Sequence, residues 1–365
     1  MKNLFKVLLF ITLIGGLISA CTPTMAQTIF VTNAVEFQAA LDSATKAPVN
    51  SITLVNEVKG TFSSNMKWKN TSRNLEISGG TINGSLTRTT PKDMSEAVNG
   101  SDNFYRYSVN IHDVMFTGAG SNGLSLNCMY SPIIYNCQFE YKDTGLVGTF
   151  ALNALVMQNR FTNCKMVAAC FKSGVGTISG AGLSTSASNN CRFIGNRIFN
   201  ANGAEAGLAI IACSGVYVGD HISEGGTPNY HIKQDGQNNT TSWLTTYERL
   251  HIESKALIAS IFYKERQGFL KCSNPFFQYS SVMFDIQSYA GAIQVTIDQL
   301  PYIPSGSTMT STGNVRWSFT NLYPNLDITD VKYWKGGVFP AVVVQTKIIN
   351  TGIETKQLIN GQIKN

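Results

Sequence analysis

A five-residue frame returns along this chain at intervals of roughly two dozen residues, and nothing else in the sequence constrains the fold so strongly. It runs Ile111-His112-Asp113-Val114-Met115, Tyr135-Asn136-Cys137-Gln138-Phe139 and Met157-Gln158-Asn159-Arg160-Phe161. It continues as Ile194-Gly195-Asn196-Arg197-Ile198, Val218-Gly219-Asp220-His221-Ile222 and Thr246-Tyr247-Glu248-Arg249-Leu250. The centres fall at 113, 137, 159, 196, 220 and 248, so the steps are 24, 22, 37, 24 and 28 residues. The long step contains the Gly/Ser-rich stretch 174–188, which reads as an insertion, and weaker copies follow near Asn274, Val295 and Trp317. One helical segment is expected at 33–41, where Asn33 can cap and Phe37 and Leu41 share a face. Repeats of this length made of strands and turns read as coils of a β-solenoid. A single coil cannot bury its own apolar face. Stacked about 4.8 Å apart, neighbouring coils pair their backbone groups and bury one continuous column.

A second frame lies about eleven residues upstream of each centre. Its strands are Leu124-Ser125-Leu126-Asn127, Thr149-Phe150-Ala151-Leu152, Leu183-Ser184-Thr185-Ser186 and Leu208-Ala209-Ile210-Ile211. Tyr230-His231-Ile232-Lys233, Ile261-Phe262-Tyr263-Lys264 and Val282-Met283-Phe284-Asp285 follow. Gly123, Gly148, Gly182 and Gly207 precede the first four, where a turn is expected. Alternation points the first and third residues of each strand inward and the second and fourth outward. Ile111, Met157, Ile194 and Val218 should then share one interior file.

The Asp113, Asn159, Asn196, Asp220 and Asn274 column resembles the asparagine ladder of the pectate-lyase-like superfamily, the right-handed parallel β-helices that include polygalacturonases, alginate lyases and phage tailspikes. Cys137 and Glu248 depart from that ladder. The resemblance covers roughly residues 28–320 and implies an all-β, right-handed parallel β-helix over 27–329 with a short N-terminal capping helix. Residues 330–365, with Lys332-Tyr333-Trp334-Lys335 and Ala341-Val342-Val343-Val344, are expected to form an end cap or an oligomer contact. The resemblance is specific for fold and unspecific for reaction. The polygalacturonase set and the Trp-x-Asp-His and Arg-x-Pro-x-x-Arg signatures of pectate lyases are missing. Calcium is left open by the resemblance, and the sequence identifies no metal site.

Residues 1–26 read as an export signal, with Lys2 and Lys6 ahead of a nearly continuous apolar run from Val7 to Ile18. Ile18-Ser19-Ala20-Cys21 resembles a bacterial lipobox, which would place a lipid on Cys21. Ordinary cleavage after Ala26 and retention as a membrane anchor are the competing readings. The composition of 32 glycines, 43 % hydrophobic and 14 % charged residues excludes a disordered chain. A net charge of +6 favours an acidic polymer or a membrane surface as partner. No Lys/Arg block of five appears, which argues against nucleic acid. The seven cysteines after Cys21 form no Cys-x-x-Cys pair and are expected in the core.

Outward positions supply the candidate chemistry. Lys233, Lys264 and Asp285 should form a vertical column, with His231 and Phe262 beside it. Two stacked ammonium groups would depress one pKa and yield a general base. That set suits β-elimination of a uronic-acid polymer: Lys233 as base, Lys264 neutralising the sugar carboxylate, His231 as proton donor, Asp285 orienting Lys264 and Phe262 stacking on a sugar. The bland alternative is a solvated face in which Lys264 pairs with Asp285. Gln138, Arg160, Arg197, His221 and Arg249 form a second column, either a polyanion track or a soluble face. Asp220 and Glu248 are expected to serve the turns, and His112 and His251 are isolated. The chain therefore reads as an exported protein that engages an anionic polysaccharide, as a lyase or as a non-catalytic adhesin or receptor-binding spike that could form a homo-oligomer.

Overall fold

The computed structural model describes residues 26–46, 54–68, 74–89, 108–120, 122–165, 167–172, 188–236, 241–349 and 352–365. Cys21, the rest of the leader and the strand expected at 183–186 lie outside the described residues. The remainder is a single-stranded parallel β-solenoid. Sheet I stacks strands in chain order from Gln27–Val31 through Ile133–Tyr135, Leu155–Met157, Arg192–Ile194 and Tyr217–Gly219 to Val315–Thr320. Sheet II stacks short strands from Met115–Thr117 to Phe276–Phe277, and sheet III stacks longer ones from Asn122–Tyr130 to Thr308–Thr312. The two halves of Thr81–Arg88 pair with Met115–Thr117 and Asn122–Tyr130, which joins sheets II and III at one end.

The interior is a set of vertical files. On sheet I, Ile111, Ile134, Val156, Phe193, Val218, Tyr247 and Cys272 are successive partners, all at most 1 % exposed. Met157 and Ile194 belong instead to the neighbouring outer file with Tyr135 and His112. Ile111 and Val218 thus lie where the repeat put them, and Met157 and Ile194 do not. The left-handed turn residues are Asp113, Asn136, Gln158, Gly195, Asp220 and Arg249. Four of the six expected centres are therefore displaced by one residue, and a one-residue slip exchanges inside for outside. On sheet II the stacked rings of Phe116, Phe139 and Phe161, 5.1 and 4.8 Å apart, fill the inner file. Cys137, Cys164, Cys191, Cys213 and Cys272 are buried free thiols, as a core role requires.

The expected asparagine ladder is not one column: Asn159 and Asn196 sit one residue beyond the left-handed turn and face inward, whereas Asp113, Asp220 and Asn274 occupy the left-handed position itself and are exposed. Asn159 Oδ1 accepts from the Cys137 N–H at 2.9 Å, and Asn196 Oδ1 accepts from the Asn159 N–H at 3.0 Å. Their amide groups donate to the Ile134 and Val156 carbonyls at 3.1 and 2.8 Å. His221 occupies the next rung, 1 % exposed, with neither ring nitrogen hydrogen-bonded. The space beside it, lined by Phe161, Phe193 and Leu208, has no room for water. An orphaned buried polar group is costly. His221→Asn would restore the rung, and we expect chemical denaturation to show it about 1–2 kcal/mol more stable than the native chain at neutral pH.

Both ends of the solenoid are closed. Helix α1, Ala34–Lys46, starts with a reciprocal cap: Asn33 Oδ1 accepts from the Glu36 N–H at 2.9 Å, and the Glu36 carboxylate accepts from the Thr32 N–H at 2.8 Å. It buries Phe37 and Leu41 completely, with Phe37 edge-on to Phe62 at 5.9 Å. At the other end Trp334 lies edge-on to Trp317 at 5.5 Å and donates its indole N–H to the Ile328 carbonyl at 2.8 Å. The chain then reverses into antiparallel pairing, Val342–Ile349 with Gly352–Ile359 and Gly352–Ile359 in turn with Gln362–Lys364. No described helix is long and apolar enough to cross a membrane.

Candidate functional site

On sheet III, Lys233 is stacked between Ala209 and Phe262, and Phe262 on Asp285. Lys264 pairs with Asp235 and Gln287 in the next outer file. A two-residue slip keeps Lys233 and Lys264 outward and still moves Lys264 off the column, while His231, expected outward, faces in. The two ammonium groups are therefore not vertical neighbours, and the like-charge argument for a base falls. Lys233 is ion-paired with Glu205 and lies over the Tyr230 ring, while Lys264 lies over the Tyr289 ring, whose hydroxyl donates to Asp235 at 2.8 Å. Asp285 accepts from the Gln287 amide rather than orienting Lys264, and burial raises its pKa. Phe262 is 7 % exposed, too enclosed to receive a sugar. His231 is fully buried: Nδ1 accepts from the Ser223 hydroxyl, and Nε2 donates to the Ser254 carbonyl, both at 2.7 Å. Burial lowers its pKa to about 4, so it is a neutral structural group and not a proton donor to a ligand.

The second column divides in the same way. Arg160 and Arg197 are vertical neighbours, followed by Ile222 and not His221. Arg160 is seated over the Phe199 ring. Arg249, in the left-handed turn, grips Asp220 with two bonds at 2.6 and 2.9 Å and also pairs with Glu248. Asp220 and Glu248 thus serve the turn, and there is no continuous basic track. His112 and His251 are not isolated. His112 bridges Asp113 and Glu76 at 2.6 and 3.2 Å and stacks on Tyr135, and His251 pairs with Glu253 and stacks on Phe276.

A concave feature lies on the outer face of sheet I, which the sequence did not single out. It is an open groove of 930 Å³ running along the solenoid axis across five coils. Its central file is Ile133, Leu155, Arg192, Tyr217 and Thr246 in direct succession. One wall is the column of left-handed turns at Ser131, Asn153, Asn190 and Gly215. Leu244 stands at the C-terminal end, and Ile194 adds to the floor.

Two side chains give the groove its chemistry. Tyr217 lies flat across the sheet because Gly219 has no side chain: a Cβ there would stand 2.6 Å from the hydroxyl and 2.7 Å from a ring carbon. The hydroxyl donates to Glu248 at 2.9 Å, and burial together with that carboxylate raises its pKa. Arg192, one rung away between Leu155 and Tyr217, is exposed and has no ion pair or hydrogen bond with any described residue. An aromatic platform beside an unpaired guanidinium on an apolar floor is a place for a flat, partly apolar, carboxylate-bearing ligand. A sequence signal for it exists. Ile133-Ile134-Tyr135 and Leu155-Val156-Met157 are apolar at every position, where a strand with one wet face should alternate.

Among the described residues no group of three or more His, Cys, Asp or Glu side chains is gathered to hold a metal. No family model and no curated protein matches the chain. A crystal structure of alginate lyase from Paenibacillus sp. str. FPU-7 aligns with 83 % of this chain and 96 % of that chain, at 13 % identity and a TM-score of 0.34.

Proposed function

We propose that this chain is an exported β-solenoid that binds an acidic polysaccharide along the groove of sheet I. The observation that carries this reading is the flat Tyr217 ring adjoining the unpaired Arg192 in an axial groove. A sugar ring offers one apolar C–H face for Tyr217, and its carboxylate fits the Arg192 fork. The amides of Asn153 and Asn190 on the wall suit sugar hydroxyls. The apolar leader supports export.

Titration calorimetry of the full chain against a panel of acidic polysaccharides tests the reading. Arg192→Ala is expected to weaken binding about 10–100-fold, the loss of one charge-assisted contact. Gly219→Ala, which lifts the Tyr217 ring off the floor, is expected to weaken binding while Arg192 stays in place. Unchanged affinity in both variants would sink the proposal.

The Tyr217–Glu248 bond also favours β-elimination as a second reading. Arg192 would neutralise the uronate carboxylate and acidify the neighbouring C–H. That C–H bond and the glycosidic C–O bond break, and a C=C bond forms. Glu248 takes the phenolic proton of Tyr217 as the phenolic oxygen takes the proton from carbon, and Tyr217 then gives that proton to the departing oxygen and recovers its own from Glu248. Turnover would create a conjugated double bond visible in the ultraviolet and lost in Tyr217→Phe. Binding without that absorbance assigns the chain to the adhesin class.

A further inference from the structure

The charge pattern along the groove narrows its ligand further, an inference that rests on the binding reading above. Arg192 is flanked on the N-terminal side by Leu155, Ile133 and Asn110 in its own file, and by Ile194, Met157 and Tyr135 in the adjoining one. No cation stands in those stretches. The next cation of the Arg192 file on the C-terminal side is Lys271, reached through Tyr217 and Thr246. Three rungs separate the two, about 14 Å at the strand spacing.

The N-terminal end of this stretch carries an excess of acid. There Glu76 and Asp113 share the single imidazole of His112. At the other end, Glu248 and Asp220 are matched in number by Arg249 and Lys271. A polymer with a carboxylate on every sugar would set one charge over the apolar Ile133 and Leu155 with no cation to pair it. It would press others towards the acidic N-terminal end. Both arrangements are unfavourable. A residue of an extended pyranose chain advances by about one rung, so each rung reads one sugar.

We infer that the groove selects a heteroglycan whose carboxylates are sparse, at most one sugar in three, with uncharged sugars between them. Arg192 reads the isolated acid, while Tyr217 and the aliphatic floor read the apolar faces of its neutral neighbours.

The experiment compares binding of the full chain to three polymers at one salt concentration: polygalacturonate, with an acid on every residue; deacylated gellan, with one acid in four; and dextran, with none. Gellan is expected to bind about tenfold or more tighter than polygalacturonate, a difference of roughly 1.4 kcal/mol. Arg192→Ala should bring gellan down to the level of dextran. Glu76→Gln, which removes acid from one end, should improve polygalacturonate severalfold and leave gellan unchanged. Polygalacturonate binding as tightly as gellan, with both sensitive to Arg192→Ala, would overturn the spacing inference and leave the groove intact. Binding of no polymer, or binding indifferent to Arg192→Ala and Tyr217→Ala alike, would overturn the groove itself.

Discussion

Thermal melts across pH will show greatest stability near pH 6.5, with losses on both the acid and the alkaline side. Three buried groups set this shape. Glu265 is fully buried, accepts from the Gln234 amide at 3.0 Å, and is raised from 4.5 to about 8, chiefly by burial. A carboxyl raised in the folded state gives stability that is complete below 4.5 and is lost as pH climbs through about 8. His221 and His231 are lowered from 6.5 to about 4, again by burial. Their contribution is complete above 6.5 and is lost as pH falls through about 4. Below 6.5 two histidines outweigh one carboxyl, and above it the carboxyl acts alone. The alkaline loss is on the order of a few kcal/mol. Glu265→Gln should flatten the alkaline limb and leave the acid limb in place. An alkaline limb that persists in Glu265→Gln would show that another group is responsible.

Removing the middle ring of the sheet II stack is expected to be the most damaging single change in the core. Phe139 is fully buried between Phe116 and Phe161, with both partner rings within 6° of parallel. Phe139→Ala leaves a cavity between two rigid rungs that cannot close, because the backbone ladders above and below fix the coil spacing. The cost is about 3–5 kcal/mol, to which the lost ring contacts contribute about 0.5–1.5 kcal/mol apiece. Urea titration reads it directly. Phe139→Leu should recover most of the loss, and an alanine variant within about 1 kcal/mol of the native chain would contradict the packing described.

The architecture was legible because repetition survives small errors of alignment, whereas the site was not, because side-chain neighbours do not. Asp113 and Asp220 were placed correctly in their turns. Around Asn136, Gln158 and Gly195 the frame was read one residue late, since Cys137, Asn159 and Asn196 made a plausible polar or sulfur-bearing centre. That error sent Met157 and Ile194 inward on paper and concealed the apolar floor of the groove. On sheet III, Leu124 pairs with Leu146 and not with Thr149, and Ile261 pairs with Ile232 and not with Tyr230. The second of these slips is two residues long, which alternation cannot detect, and it created the apparent Lys233–Lys264 column. The helix cap at Asn33 and the buried cysteines needed no long-range register, and they were read correctly.

A stack of like rungs has no intrinsic stopping point, and an open parallel edge invites another chain to add itself. Here the last strands change direction. Val342–Ile349 continues the parallel ladder, and Gly352–Ile359 then runs back along it, leaving Gln362–Lys364, only three residues long, as the outermost strand. An incoming coil would need a parallel template of full length and meets three residues laid over a reversed strand. The hairpin therefore works as a terminator of growth, keeping a fold that shares its backbone geometry with fibrils discrete in length.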